Sequence, residues 1–260
     1  MGAPCGRTCS TVVRADPGSQ TIEGTFVNET TGPIGQLKAL VFDVDGTLYD
    51  QGRLRRAMLL RLLSAYAVHP FRGWQTARVL RAYRQAQERL RAEPVTGDIA
   101  EAQIALACER SHVDRDSVVD SVNRWMEQEP LAILSRYVQP GLIEFLRMCK
   151  ARGLRLAALS DYPADAKLEA LGLSGVFDVV LSAQAAEINV FKPHPRGLLV
   201  ALERLGSTTA ESMYIGDRVD VDAATAEAAG VRCAILTGRR TPKIPNALQV
   251  ASYAELHDLL

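Results

Sequence analysis

The sequence predicts an α/β fold, a Rossmann-like parallel sheet covered by helices on both faces, with an all-helical segment inserted after the first strand. In residues 141–237, short apolar runs alternate with helical patterns, as they do where crossover helices join parallel strands. A further apolar run of strand length lies far upstream, at 37–43. Between the two, residues 53–137 carry helical spacing and no strand-like run, which predicts the insertion.

Length and composition limit the possible classes of protein. The chain has 260 residues, 47% of them hydrophobic, which suffices for one α/β core and a small second module. Its formal net charge is +0, so nothing favours a nucleic acid or a membrane surface as partner. Five irregularly spaced cysteines do not suggest a disulfide framework, and no apolar run reaches the ~18 residues of a membrane span. We therefore expect a cytoplasmic protein.

Changes in composition along the chain predict its organisation. Residues 1–36 are rich in Gly, Thr, Ser and Pro and lack periodicity. This pattern predicts a disordered extension, with a targeting or partner-binding tail as the alternative. Residues 37–52 and 139–260 are predicted to form the core domain, and residues 53–138 a helical cap domain.

The first strand, 37–43, is a continuous apolar run of the kind that is buried on both faces of a parallel sheet. Apolar residues at helical spacing predict the helices of the insertion, with Asp98 and Asp114 as N-caps. Pro130 is expected to kink or split the last of them. These four predicted helices span 53–66, 74–91, 99–110 and 115–137.

Beyond Pro140 and Gly141, strands and helices alternate, and glycines end most of the helices. The predicted strands span 154–160, 177–182, 212–215 and 231–237, and the predicted helices span 141–152, 164–171, 196–205 and 223–229. Ligands of such sheets bind beyond the carboxyl ends of the strands. The polar residues that follow the predicted strands are therefore the candidate site.

Asp43 and Asp45 follow the first strand, two residues apart, and both can face one crevice once the strand has ended. Two carboxylates can divide nucleophilic attack on phosphorus and proton transfer between them. Gly46 and Thr47 form a tight turn whose amides could face phosphate oxygens. An ordinary Asp-Gly turn at a strand end is the alternative interpretation.

Polar residues follow the other strands too. The hydroxyl of Ser160 could bind a phosphoryl oxygen, and Lys192 could neutralise charge during transfer. Acids in the loop after the fourth strand repel one another, and a hard cation such as Mg²⁺ would relieve the repulsion. The alternatives are a strand-end cap for Ser160, a solvated loop lysine, and a helix N-terminus that favours acids. The acids of this loop are Asp217, Asp220 and Asp222.

These motifs together resemble those of the haloacid dehalogenase-like hydrolase superfamily. They are DxDGT at 43–47, Ser160 after a strand, Lys192 in KPxP, and GDxxxxD at 216–222. The helical insertion is similar to the small cap of the branch that includes phosphoglycolate phosphatases and β-phosphoglucomutases. The second aspartate of the first motif, Asp45, argues against a dehalogenase, because that branch lacks it.

The resemblance implies a Mg²⁺-dependent phosphatase that hydrolyses a small-metabolite phosphate monoester through an aspartyl phosphate. It implies Asp43 as the nucleophile, Asp45 as the general acid and base, and Lys192 as the charge stabiliser. The implied contacts to the substrate phosphate are Ser160, Asp161, Gly46 and Thr47. The implied metal ligands are Asp43, Asp45 through its main-chain carbonyl, Asp217, and Asp222 at the edge of the site.

Two other functions fit the same motifs. A phosphomutase would pass the phosphoryl group to a sugar rather than to water, and a non-catalytic binding protein could use the same fold. The ten arginines from Arg53 to Arg91 are expected mainly to cover solvated helix faces. The alternative is that they bind a second anionic group of the substrate, with Arg53 or Arg56, near the entry to the cap, as the candidates.

Overall fold

The centre of the structure is one sheet of six parallel strands. The structure is a computed structural model, and it describes residues 37–93, 95–237 and 245–260. The strands are β1 (Ala39–Phe42), β2 (Arg155–Ser160), β3 (Val179–Ser182), β4 (Ser212–Gly216), β5 (Arg232–Leu236) and β6 (Ala247–Val250). Their spatial order is β3-β2-β1-β4-β5-β6, which confirms the predicted fold class. The predicted extension, 1–36, lies outside the described residues.

Helices make up most of the remaining described chain. They are α1 (Gln51–Ala65), α2 (Pro70–Ala92), α3 (Ile99–Ser111), α4 (Arg115–Val122), α5 (Glu129–Leu134), α6 (Leu142–Ala151), α7 (Asp165–Ala170), α8 (Arg196–Leu205), α9 (Ala224–Ala229) and α10 (Tyr253–Leu259). None of the described helices combines the length and the apolar character that crossing a membrane requires.

Strand β1 runs through the middle of the sheet, and its side chains alternate between two cores. Leu40 and Phe42 pack on the face covered by α6 and α10. Ala39 and Val41 pack on the opposite face, against α8. All four side chains are fully buried, which explains why every position of this strand is apolar. Phe42, the last residue of β1, pairs with Ala158 of β2 and with Ile215 of β4. The residues that follow these three strands therefore lie along one edge of the sheet.

We expect Phe42→Ala to destabilise the fold by about 3–5 kcal/mol, because it leaves a cavity in the core. The Phe42 ring meets the rings of Phe145 and Phe177 edge-on, at centroid distances of 6.2 and 5.7 Å. Urea denaturation measures the change. The control, Leu60→Ala on the exposed face of α1, should change the free energy of unfolding by no more than about 0.5 kcal/mol. Equal effects of the two substitutions would contradict the packing described for β1.

The segment between β1 and β2 is helical, as predicted. Helix α1 begins at Gln51 because the Asp50 carboxylate accepts a hydrogen bond from the Arg53 amide at 2.8 Å. Helix α2 begins at Pro70, earlier than predicted, since proline suits the first turn of a helix. The last predicted helix is split at Pro130 into α4, a π-helical segment (Asn123–Gln128), α5 and a 3₁₀ turn (Ser135–Tyr137). Proline cannot donate the hydrogen bond of a continuous helix.

The two connections between the sheet and the inserted helices are paired with each other. The Asp50 amide donates to the Tyr137 carbonyl at 2.8 Å, and the Gln139 amide donates to the Leu48 carbonyl at 3.0 Å. The Gln139 side chain also donates to the Gly46 carbonyl at 3.1 Å. The entry to the insertion and the exit from it are thereby held beside the turn that follows β1.

Strand β6 and helix α10 were not predicted. The side chains of β6 are mostly half-buried, so its sequence lacks the continuous apolar run of the central strands. Helix α10 begins at the N-cap Ser252, and the Tyr253 ring packs on Phe145. The Tyr253 hydroxyl donates to the Thr47 carbonyl at 3.0 Å. The end of the chain therefore supports the turn after β1.

Candidate active site

The residues predicted from four strand ends meet at one edge of the sheet. Asp43 follows β1 and Ser160 ends β2, while Asp217 follows β4. Lys192 comes from the loop after β3 and is buried. It contacts both the Asp43 carboxylate and, at 2.8 Å, the Asp222 carboxylate. Residues separated by up to 179 positions in the chain thus form one cluster, as the parallel topology requires.

Asp43 lies at the centre of this cluster. Its carboxylate accepts a hydrogen bond from the Thr47 hydroxyl at 2.9 Å and forms an ion pair with Lys192. Burial raises the pKa of Asp43 well above its usual value, Lys192 opposes this shift, and the neighbouring Asp222 and Asp217 add to it. The site therefore holds more negative charge than its buried lysine balances.

Three carboxylates approach closely enough to share a cation. Oxygens of Asp43, Asp217 and Asp222 lie within 4.8 Å of one another. Burial, followed by repulsion from Asp222, raises the pKa of Asp217 to about 6. Its buried Oδ1 atom has no hydrogen-bond partner among the described residues. Gly46, with φ of 108°, lies against this carboxylate, and a Cβ there would stand 2.2 Å from Asp217 Oδ2. Only glycine fits at this position.

Asp222 accepts the most hydrogen bonds of the three acids. One oxygen accepts hydrogen bonds from Lys192 and, at 3.0 Å, from the Tyr214 hydroxyl. The other accepts from the backbone amides of Asp217 and Arg218, at 3.2 and 3.0 Å. This carboxylate therefore fixes both the lysine and the loop that carries Asp217. Asp220 points away, is exposed, and forms an ion pair with Arg218.

Asp45 faces a second lysine that the sequence analysis missed. Lys167 Nζ lies 2.7 and 2.9 Å from the two Asp45 oxygens, and the Tyr49 hydroxyl also donates to this carboxylate. Burial by itself would raise the pKa of Asp45, but the ion pair and hydrogen bond with Lys167 outweigh it and lower the pKa. Lys167 lies in the first turn of α7, the helix that leaves the end of β2. This position was the available signal, because such a turn adjoins the edge where the strands end.

The residues predicted to contact the substrate phosphate are placed in different ways. Ser160 and Thr47 are fully buried, and the Ser160 hydroxyl is 3.5 Å from Asp45 and 3.2 Å from the Tyr162 amide. Asp161 accepts hydrogen bonds from two side chains of α2, at 3.0 Å from Gln87 and also from Arg91. Asp161 therefore joins the sheet edge to the insertion. The predicted contacts of these residues and of Gly46 with a phosphate stay predictions.

A cavity of about 1,390 Å³ extends from this cluster between the sheet edge and the inserted helices. Asp43, Asp45 and Lys192 line it, as do Lys167, Asp161, Asp217 and Asp222. The arginines on its wall are Arg55, Arg81, Arg84, Arg91, Arg110 and Arg218.

The choice of Arg53 or Arg56 as a cavity residue was wrong. Both are exposed and neither lines the cavity, because the face of α1 that lines it carries Arg55 instead. Other arginines of the insertion form ion pairs, Arg61 with Glu129 and Arg89 with Glu93.

Comparison with known proteins agrees with this geometry. A model of the haloacid dehalogenase-like hydrolase family matches residues 37–230. The chain is 28% identical over 239 residues to a phosphoglycolate phosphatase of Cereibacter sphaeroides, covering 86% of this chain and 98% of that protein. It is 32% identical over 181 residues to the probable phosphatase IndB of Dickeya dadantii, covering 68% of this chain and 72% of that protein.

The fold is also that of solved structures. The structure of L-2-haloacid dehalogenase from Xanthobacter autotrophicus superimposes with a TM-score of 0.59 at 21% identity, covering 86% of this chain and 98% of that one. The sheet, the inserted helices and the acids at the strand ends define a hydrolase of α/β fold. The chain belongs to the haloacid dehalogenase-like hydrolase family. The resemblance noted from its four motifs is thereby confirmed, and the prediction of a phosphatase agrees with the names of both relatives.

Proposed function

We propose that this enzyme is a Mg²⁺-dependent phosphatase that hydrolyses a phosphate monoester of a small metabolite through an aspartyl phosphate on Asp43. The observation that carries the proposal is the setting of Asp43. Its carboxylate lines the cavity beside a buried lysine and two further acids, and Asp45 follows two residues later. In this proposal the inserted helices, residues 53–138, act as a cap over the site, and 37–52 with 139–260 form the core.

The donor set fits the cation that the family implies. Mg²⁺ prefers hard oxygen ligands and is commonly shared between one or two carboxylates and a substrate phosphate. Asp43 and Asp217, with the main-chain carbonyl of Asp45, would hold it, and the unpartnered Asp217 Oδ1 is an available ligand. Asp222 would support the site from its edge through Lys192. The ion would neutralise phosphate charge and orient the phosphoryl group.

The proposed reaction has two displacements at phosphorus. In the first, an Asp43 oxygen forms a bond to phosphorus, the bond to the leaving oxygen breaks, and Asp45 gives that oxygen a proton. In the second, Asp45 takes a proton from water, the water oxygen bonds to phosphorus, and the bond to Asp43 breaks. Phosphate leaves, and both aspartates return to their starting states.

The surrounding residues are assigned roles that follow from their contacts. Lys192 balances charge on Asp43 and on the transferring group. Thr47 orients the attacking carboxylate through its 2.9 Å hydrogen bond. Contacts of Ser160, Asp161, Gly46 and Thr47 with the phosphate belong to this proposal. A bound phosphate would also interact with Lys167 and so weaken the ion pair of Lys167 with Asp45. The pKa of Asp45 would then rise, which favours its role as the acid.

We expect Lys167→Met to lower kcat by about tenfold or more, because Asp45 loses the group that orients it. Without Lys167 the pKa of Asp45 rises, and Asp45 must be ionised to accept a proton from water. The acid limb of the kcat profile should therefore move to higher pH. The control is Lys150→Met, which breaks an exposed lysine–aspartate pair with Asp178 far from the site. If the pH profiles of the two variants coincide, Lys167 has no role in positioning Asp45.

The direct test of the proposal is phosphate release by the purified protein with Mg²⁺. The substrates are p-nitrophenyl phosphate and a panel of phosphorylated metabolites that includes phosphoglycolate. We expect turnover of the aryl phosphate and preference within the panel. No release from any of these compounds, with the protein folded and Mg²⁺ present, would exclude a phosphatase.

A further inference from the structure

The cavity is larger than a short metabolite needs. At about 1,390 Å³ it exceeds the roughly 300–1,000 Å³ of ordinary ligand sites. It also extends far from the sheet. Residues of α1 line it from Gln51, beside the catalytic cluster, to Leu62, a length of about 16 Å at 1.5 Å per helical residue. A phosphate ester of two or three carbons bound at Asp43 cannot span that distance.

The distant part of the wall is largely apolar. On α1 the cavity face carries four apolar residues, Leu54, Met58, Leu59 and Leu62. On α2 the wall carries Ala77 and Leu80, followed by Arg81 and Arg84. Leu131 and Leu134 of α5 and Trp125 and Met126 of the π-helical segment also belong to the wall.

These side chains are not simply the core of the insertion. Leu59 is 55% exposed, Ala77 is exposed, and Met58 and Leu80 are only half-buried. Exposed apolar surface on a cavity wall is unfavourable in water and becomes favourable when an apolar ligand covers it. The inserted helices also bring charged side chains to the wall, among them Arg55, Arg81, Arg84 and Arg110, so the apolar surface is bordered by basic groups.

We propose that the preferred substrate is a phosphate monoester whose alcohol part is an extended apolar body, such as an alkyl, isoprenoid or aromatic group. The inference rests on the proposed phosphatase function and names the substrate class of that same site. The phosphate binds beside Asp43, and the apolar body lies along Met58, Leu59 and Leu80. A small acidic ester such as phosphoglycolate leaves this wall covered by water and is a poor substrate.

The test is a homologous series of n-alkyl phosphates, from ethyl to octyl, assayed by phosphate release below their critical micelle concentrations. Each methylene that enters the apolar part should raise kcat/KM by about fourfold, the equivalent of the ~0.8 kcal/mol gained on burying one methylene. The rise should level off once the chain fills the cavity.

Two neighbouring leucines of α1 provide a matched pair of variants. Leu59 lines the cavity, whereas Leu60 is 67% exposed and does not line it. Leu59→Gln should reduce the increment per methylene at the longer chain lengths. Leu60→Gln should keep both the increment and the activity of the wild type. Thermal melting of both variants verifies that they fold.

The outcomes separate this inference from the function on which it rests. Turnover of p-nitrophenyl phosphate with kcat/KM flat or falling along the alkyl series overturns the apolar substrate and leaves the phosphatase. Equal effects of Leu59→Gln and Leu60→Gln on the increment also overturn it. No phosphate release from any compound overturns the phosphatase itself.

Discussion

Asp43→Asn is expected to lower turnover of p-nitrophenyl phosphate by about 10⁵-fold or more, because an amide cannot attack phosphorus and the covalent route is lost. The effect should be entirely on catalysis. Burial raises the pKa of Asp43 well above its usual value, so its charge is costly in the metal-free fold. Asparagine has the same shape without the charge, and the Tm of the variant should not fall.

Asp220→Asn is the matched control for this substitution. Asp220 belongs to the loop that carries Asp217, but it is exposed and paired with Arg218, so the variant should keep nearly full activity. Chemical trapping adds a second measurement. With Asp45→Asn slowing the second displacement, a phosphorylated protein that is labile to hydroxylamine should accumulate, and Asp43→Asn should prevent it. Undiminished hydrolysis by Asp43→Asn would refute the proposed mechanism.

Removal of divalent cations is expected to reduce turnover by about 10³-fold or more, with recovery on adding Mg²⁺, since three carboxylates would otherwise face the phosphate. Binding should also be visible without turnover. A ligand that binds only the folded state stabilises it by about 2.7 kcal/mol at a hundred times its Kd. The Tm should therefore rise with Mg²⁺ concentration.

The pKa of Asp217 gives this measurement a defined pH dependence. Because the pKa is raised to about 6 in the fold, the ionised carboxylate destabilises the metal-free protein above its unfolded pKa. This contribution is relieved as the pH falls through 6. Mg²⁺ should remove the difference by stabilising the ionised form. In Asp217→Asn the Tm should no longer rise with Mg²⁺, whereas in Asp220→Asn it should rise as in the wild type. Equal rises in both would rule out Asp217 as a ligand.

Much of the fold could be predicted because local pattern and tertiary structure agree. The central strand β1 is apolar at every position since both of its faces are buried, and a continuous apolar run of this length is typical of such a strand. Strand β6 escaped prediction because an edge strand with half-buried residues has no such pattern. The start of α2 was placed four residues late, at 74 instead of Pro70, although proline is favourable in the first turn of a helix.

The residues of the candidate site also divide into those that a local sequence pattern predicts and those that it does not. Asp43, Asp217 and Lys192 belong to recognisable motifs, and the parallel topology brings these motifs to one edge of the sheet. Lys167 belongs to no such motif. Its contact with Asp45 depends on the orientation of α7 relative to the end of β2. The choice between Arg53 and Arg55 depends on the rotation of α1 about its axis, which helical spacing alone does not fix. The width of the cavity depends on how the inserted helices pack, which no short pattern encodes.

The Tyr253 hydroxyl donates a hydrogen bond to the Thr47 carbonyl, and the Thr47 hydroxyl in turn donates one to the Asp43 carboxylate. Tyr253, the eighth residue from the end of the chain, is therefore linked through Thr47 by two hydrogen bonds to the carboxylate of Asp43, the proposed nucleophile. A protein shortened by its last eight residues would keep Asp43, the proposed nucleophile, but lose the hydrogen bond that positions the Thr47 main chain beside it. Trimming this enzyme at its final helix would thus disturb the site and would also remove the buried side chains of Tyr253 and Leu256 from the core.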